Sequence, residues 1–161
     1  MHIDDRLATV LAVSATGENQ IRVQFRQLVD LLGTMPSAAL GAAADPGVDR
    51  AMLRLGELSQ RIPPAERAAA IDRSGVRLRN ARLVAELACD HPAVAESAIR
   101  IAQLGEAQWL DILPTLPPRA RGLLRQRRDL GATVIQRLDQ LGLGLDVEIG
   151  LGLGLRRGFG L

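Results

Sequence analysis

The sequence predicts an all-α fold, either HEAT- or armadillo-like helical repeats or an irregular multi-helix bundle, followed by a Gly/Leu-rich C-terminal tail. Apolar residues make up 47% of the 161-residue chain and are nearly all Leu, Ala, Val and Ile. One Trp, two Phe and no Tyr are fewer aromatic residues than a β-sheet normally contains. The apolar residues recur at the spacing of amphipathic helices. Pro and Gly divide the chain into segments of helix length.

Two amphipathic segments open the chain. The segment "IDDRLATVLAV", residues 3–13, places its apolar residues on one helical stripe and two Asp residues in its first turn, where carboxylates stabilise a helix. In the second segment, apolar residues lie at i, i+4, i+7, i+8 and i+11 from Ile21. Thr16 is its predicted N-cap and Gly33 its predicted end. The stretch "TMPSAALGAAADPG" that follows is predicted to be mainly a loop.

Acidic residues and prolines mark the next helix starts. Asp45 followed by Pro46 is an N-cap carboxylate with Pro at the first helical position, so a third helix should begin there. Pro63 and Pro64 end this helix and begin a fourth, which extends to Ser74. A fifth helix is predicted within "RLRNARLVAELACD".

Four further helices are predicted before Gly142. The sixth begins at Asp90 or His91, and the seventh, "EAQWLDILP", ends at Pro114. The segments "PPRARGLLRQRR" and "DLGATVIQRLDQLG" form the last two. The helical domain is therefore predicted to span residues 1–142.

A short sequence pattern recurs weakly at three of the predicted helix starts. The strings "DPGV", "DHPAV" and "DLGATV" each place an Asp before a helix, and they start at positions 45, 90 and 129. Separations of about 40–47 residues are typical of HEAT and armadillo repeats. An irregular bundle explains three degenerate recurrences equally well, so both architectures stay open.

Residues 143–161 are predicted to be a linker or an edge strand. From Leu143 to Leu155 every odd position is apolar and every even position is Gly, Asp or Glu, which is the period of a strand with one buried face. The G-x-G-x-G spacing does not match a dinucleotide fingerprint, and a Walker loop requires a Lys, which the chain lacks. An apolar edge strand needs a partner, and a second copy of the chain, giving a homodimer, is one candidate.

Arginines at 119–128 are the main candidates for an interaction site. Arg121, Arg125 and Arg128 have the i, i+4, i+7 spacing of one helix face. Such a face can be solvated and paired with neighbouring acids, can contact a protein, or can bind the phosphates of a nucleic acid. The region has no aromatic residue for base stacking, which argues against nucleic acid. Trp109 is predicted to be a core or interface anchor.

The residue types do not predict a catalytic, cofactor or metal site. Cys89 and His91 are two positions apart, which does not place two side chains on one helix face. With two His, no Lys and no Tyr, few general acids and bases are present. No second Cys or His cluster suggests metal ligands. A single Cys, no signal peptide and no apolar span of about 18 residues predict a cytoplasmic protein without membrane insertion.

Three packing motifs carry a resemblance to a known family. They are Asp90–Arg100, with "DHPAVAESAIR"; Trp109–Leu113, with "WLDIL"; and Leu124–Leu138, with "LRQRRDLGATVIQRL". These segments look like a bacterial all-helical domain family that precedes PAS and sensor histidine kinase modules. The opening segments "DDRLATVLAV" and "FRQLVDLLG" are similar to the start of such proteins.

The resemblance implies a non-catalytic, cytoplasmic signal-input domain of a two-component sensor histidine kinase. Its partners would be its own downstream PAS and kinase domains or another protein. The chain departs from the family after Gly142, where no kinase core follows. We expect Arg121, Arg125, Arg128 and Trp109 to be contact residues. The alternative is a nucleic-acid-binding helical repeat that uses the arginines at 119–128.

Overall fold

Helices account for nearly all of the regular structure that the computed structural model describes, which covers residues 3–35, 45–73 and 75–142. The elements are α1 (Ile3–Ala12), α2 (Glu18–Thr34), α3 (Pro46–Ser59), α4 (Pro64–Ile71), α5 (Ala81–Ala88), α6 (Pro92–Ile101), α7 (Glu106–Ile112), a 3-10 turn (Leu113–Thr115), α8 (Pro118–Arg125) and α9 (132–142). The all-α prediction is confirmed for these residues. The predicted strand or linker at 143–161, and most of the predicted loop after α2, lie outside them.

Helix starts follow the local signals in most places. The Asp45 carboxylate accepts hydrogen bonds from the backbone N–H groups of Gly47 and Val48, as the Asp-Pro pair predicted. Of the two proposed starts for α6, the N-cap is His91. The Thr16 prediction is wrong. Gly17 occupies the N-cap of α2, and Gln20 accepts the Thr16 N–H at 3.2 Å.

Helices α1, α2 and α3 pack against one another. Helices α4, α6 and α8 lie side by side. Helix α5 contacts α6 and α7. The predicted stripe of α2 is confirmed, because its apolar members are buried: Ile21, Phe25, Leu28, Val29 and Leu32. Each such side chain contributes about 1.5–3 kcal/mol when it leaves water. Whether this packing is a HEAT-like repeat or an irregular bundle stays a prediction.

An extended segment before α5 ties two helix ends together. Arg79 donates its backbone N–H to the Gly33 carbonyl at 2.8 Å, near the end of α2. Gln103 donates its N–H to the Leu78 carbonyl at 2.8 Å, and Leu78 forms an isolated parallel bridge with Ala102 just beyond α6. The segment therefore holds the C-terminal ends of α2 and α6 in a fixed relation.

None of the helices in the described ranges is long and apolar enough to cross a membrane.

Gly33 permits the close approach of this extended segment to α2. A Cβ at position 33 would lie 2.2 Å from the Arg77 carbonyl oxygen, which belongs to the backbone and cannot rotate away. Gly33→Ala should therefore lower the free energy of unfolding by about 1–3 kcal/mol, the usual cost of an inserted methyl group in a packed site. Urea denaturation followed by circular dichroism measures this change.

Gly56→Ala is the matched control, because Gly56 also lies within a helix and no atom would lie within 4 Å of an added Cβ. Its unfolding free energy should stay the same or rise by up to about 1 kcal/mol, since Ala favours helix over Gly. Equal effects of the two substitutions would contradict the close packing at Gly33.

Candidate interaction surface

Trp109 is a core residue beneath an arginine. It lies on α7, is 3% exposed, and its ring centroid is 5.3 Å from the guanidinium carbon of Arg127. That separation is within the range of a cation–π interaction. The prediction that Trp109 contacts a partner therefore needs correction, because packing and Arg127 cover the indole.

Arg127 binds the end of α6 rather than a partner. Its guanidinium donates to the carbonyls of Ile99 and Ala102, each at 2.7 Å, and pairs with Asp129 at 2.5 Å. The last carbonyls of a helix have no intrahelical partner, so this guanidinium supplies the missing donors. Hydrogen bonding from Arg127 lowers the pKa of Asp129.

The predicted arginine face does not form a continuous helical stripe. Helix α8 ends at Arg125, so Arg128 lies in the turn that follows. Arg121 donates to the Leu116 carbonyl at 3.0 Å, and Arg125 donates to the Leu138 carbonyl at 2.9 Å. Two of the three predicted contact arginines thus bind backbone carbonyls within the domain.

Arg119 and Arg128 are the arginines of this region that remain exposed without an ion pair or side-chain hydrogen bond to any described residue. Glu106 and Asp111 are acids near this region in the sequence, and neither forms an ion pair with these arginines among the described contacts. Residues 117–142 contain six Arg and two Asp, so the C-terminal end of the helical domain carries excess positive charge. We call the group made of Arg119, Arg121 and Arg125 on α8 and Arg128 in the turn after it the basic end.

Arg67 is another arginine that donates hydrogen bonds to backbone carbonyls of the domain, and the sequence pattern does not predict this role. It is 7% exposed and pairs with both Asp90 oxygens, at 2.7 and 3.2 Å. It also donates to the Ser59 carbonyl at 2.6 Å and to the Ile62 carbonyl. A cleft of about 680 Å³ lies beside it, between the C-terminal halves of α3 and α5. Each nitrogen of the Arg67 guanidinium already donates a hydrogen bond within the domain. This arginine therefore stabilises the wall of the cleft and is not available to bind a ligand.

Cys89 and His91 have separate local contacts. His91 Nδ1 accepts the Ala93 N–H at 3.2 Å as the helix N-cap, and Cys89 Sγ lies 3.9 Å from the Thr115 carbonyl. Partial burial, with the Glu86 charge, raises the pKa of the Cys89 thiol, which disfavours the thiolate. Within the described ranges, no three His, Cys, Asp or Glu residues are grouped so that they could hold a metal ion.

Comparison of the chain with protein-family models, curated proteins and solved structures gives no match.

Arg127→Ala should lower the free energy of unfolding by about 1–3 kcal/mol, because carbonyls at the end of α6 lose charge-assisted hydrogen bonds. It should also move the emission of Trp109, the single Trp of the chain, to longer wavelength as water reaches the indole. Fluorescence during urea unfolding measures both effects. The neighbouring Arg128→Ala is the control, and an equal effect in this variant would contradict the assignment.

The Arg127–Asp129 pair should make stability depend on pH. Since the pKa of Asp129 is lower in the folded state, the unfolded state binds the proton first, and the stabilisation is present above the ordinary Asp value of about 3.9. It is lost as pH falls through the folded-state pKa. Asp129→Asn should therefore reduce the loss of stability below about pH 5. Thermal unfolding from pH 7 to pH 2 tests this, with Asp139→Asn as the control.

Proposed function

We propose that this chain is a non-catalytic, cytoplasmic signal-input module of a two-component sensor histidine kinase, acting through contact with a protein. The kinase part of the proposal rests on the resemblance of the packing motifs, and the observation that carries the contact with a protein is the basic end, where exposed Arg119 and Arg128 have no partner among the described residues. Arg is enriched at protein interfaces. Complementary charge speeds association and selects among partners. An acidic surface of the kinase, or of a protein associated with it, is the partner that this chemistry fits.

The packing of the helices supports a HEAT-like architecture for the module. Helices α4, α6 and α8 lie side by side, and α5 and α7 are also in contact, which are contacts expected if the helices stack in two layers. Stacked repeats present extended surfaces to a partner. A partner that prefers one of two helix packings shifts the population towards it, and this is how binding would be transmitted to a following domain.

Nucleic acid is the competing ligand for the basic end. Among the described residues, no exposed aromatic side chain that could stack on single-stranded bases lies beside the arginines, and Trp109 is buried. A salt titration distinguishes this alternative, because binding to phosphates weakens steeply as ionic strength rises.

The proposal predicts that the full chain changes the autophosphorylation rate of the histidine kinase encoded in the same or the neighbouring reading frame. Addition of the chain should change this rate at least about threefold, which corresponds to a coupling of roughly 0.7 kcal/mol, just below the typical range of about 1–3 kcal/mol. The Arg119→Glu, Arg128→Glu variant should lose most of the effect. Incorporation of labelled phosphate measures the rate.

Arg50→Glu, Arg77→Glu is the matched control, since both arginines are exposed and lack an ion pair with any described residue. It has the same total charge as the test variant. No change in kinase rate with the wild-type chain would contradict the proposed function. An equal loss in both variants would show that net charge, rather than the basic end, is responsible.

A further inference from the structure

A second charged surface lies in a groove between α2 and α4. The groove has a volume of about 290 Å³. Phe25 and Ile62, 1% and 5% exposed, form its apolar floor, and Ala69 and Ala70 form part of the α4 wall. The groove is therefore open and apolar at its base.

Two ion pairs close the groove at its ends. Arg22 of α2 pairs with Glu66 of α4 at 2.5 Å, and Asp30 of α2 pairs with Arg73, just beyond α4, at 3.2 Å. The first pair lowers the pKa of Glu66 through hydrogen bonding from Arg22. The two pairs occur in the same order along both segments, eight residues or about 12 Å apart on α2. Helices α2 and α4 therefore run parallel. They are joined by two ion pairs, and a gap separates one pair from the other.

Arg26 lies at the centre of this gap. It is four residues from Arg22 and four from Asp30, so all three share one face of α2. On α4 the corresponding positions are Ala69 and Ala70, which have no charge. Arg26 is exposed and has no ion pair or side-chain hydrogen bond with a described residue. The carboxylates of Glu66 and Asp30 are already engaged by other guanidiniums.

We propose that this groove binds an acidic peptide segment of a protein partner. One Asp or Glu side chain enters between the two ion pairs and accepts hydrogen bonds from Arg26. A planar guanidinium suits this role because it can bind both oxygens of a carboxylate. This inference rests on the proposed function, because it specifies the acidic peptide segment through which the proposed protein partner would bind.

The α4 wall of the groove defines the residue next to the acid. Ala69 is exposed and Ala70 is half-buried, so their methyl groups offer apolar surface beside a charged group, and an apolar side chain that covers them removes that surface from water. A neighbouring Leu or Ile in the peptide provides this contact. The preferred ligand is therefore an acidic residue flanked by aliphatic ones.

The terminally blocked tripeptide Leu-Glu-Leu is the probe, and it is titrated into the full isotope-labelled chain. Amide NMR shifts should move at Phe25, Arg26, Ala69 and Ala70. Arg26→Ala should weaken binding at least about tenfold, as expected for the loss of a charge-assisted hydrogen bond. Arg50→Ala, which removes an exposed arginine of α3, should leave the affinity unchanged.

The blocked peptide Leu-Gln-Leu is the ligand control and should bind at least about tenfold more weakly. Equal binding of the two peptides, unchanged binding to Arg26→Ala, or shifts outside the groove would overturn the proposal. Binding of a six-nucleotide single strand at these residues, with no peptide binding, would overturn it as well.

Ala69→Glu provides a second test that needs no ligand. The new carboxylate would fill the gap opposite Arg26, so the denaturation midpoint should rise relative to Ala69→Gln, and the difference should vanish in an Arg26→Ala background. Absence of this coupling would show that Arg26 does not face the gap. These tests use the chain without the kinase, so their outcome is independent of the autophosphorylation assay. Failure of peptide binding and failure of kinase regulation can therefore be distinguished.

Discussion

The carbonyl groups at helix ends are the constraint on which this structure depends. A domain of short helices has many such ends, and each leaves carbonyls without intrahelical partners. Arg67 satisfies this need at the end of α3, where it binds the Ser59 and Ile62 carbonyls while its charge is balanced by Asp90 before α6. One buried side chain thereby joins α3, α4 and the α5–α6 turn. Removing the Asp90 charge would leave the buried Arg67 guanidinium without an opposite charge, which is costlier than never having the pair.

The same solution recurs along the chain with different side chains. Arg127 binds the end of α6, and Arg125 binds the Leu138 carbonyl, one residue before the last turn of α9. At the end of α1 the amide of Gln24 donates to two carbonyls, while its oxygen accepts from Arg54. Guanidinium has five donors in a planar fork and can bind carbonyls and a carboxylate together, whereas the ammonium of Lys is a compact point charge. An all-Arg basic composition therefore has a structural use in this domain.

Local chemistry could be predicted from the sequence, and long-range chemistry could not. The Asp45 cap and the apolar face of α2 depend on neighbours within about two turns, so the pattern contains the information. The hydrogen bond from the Arg79 N–H to the Gly33 carbonyl joins residues more than forty positions apart. Such a long-range contact leaves no periodic pattern in the sequence. For the same reason the sequence predicts that Arg121, Arg125 and Arg128 share one helix face, which the structure does not form. Their spacing is helical, but the end of α8 and the carbonyls they bind are set by tertiary contacts.

The four arginines of the basic end would contribute unequally to the proposed contact with a protein partner. A partner that engages Arg121 or Arg125 must replace a hydrogen bond to the Leu116 or Leu138 carbonyl, so the loss of that bond offsets part of the binding free energy. Arg119 and Arg128 carry no such cost, since neither has an internal partner among the described residues. The two exposed arginines should therefore supply most of the affinity of a rigid contact, while Arg121 and Arg125 keep the helices in place.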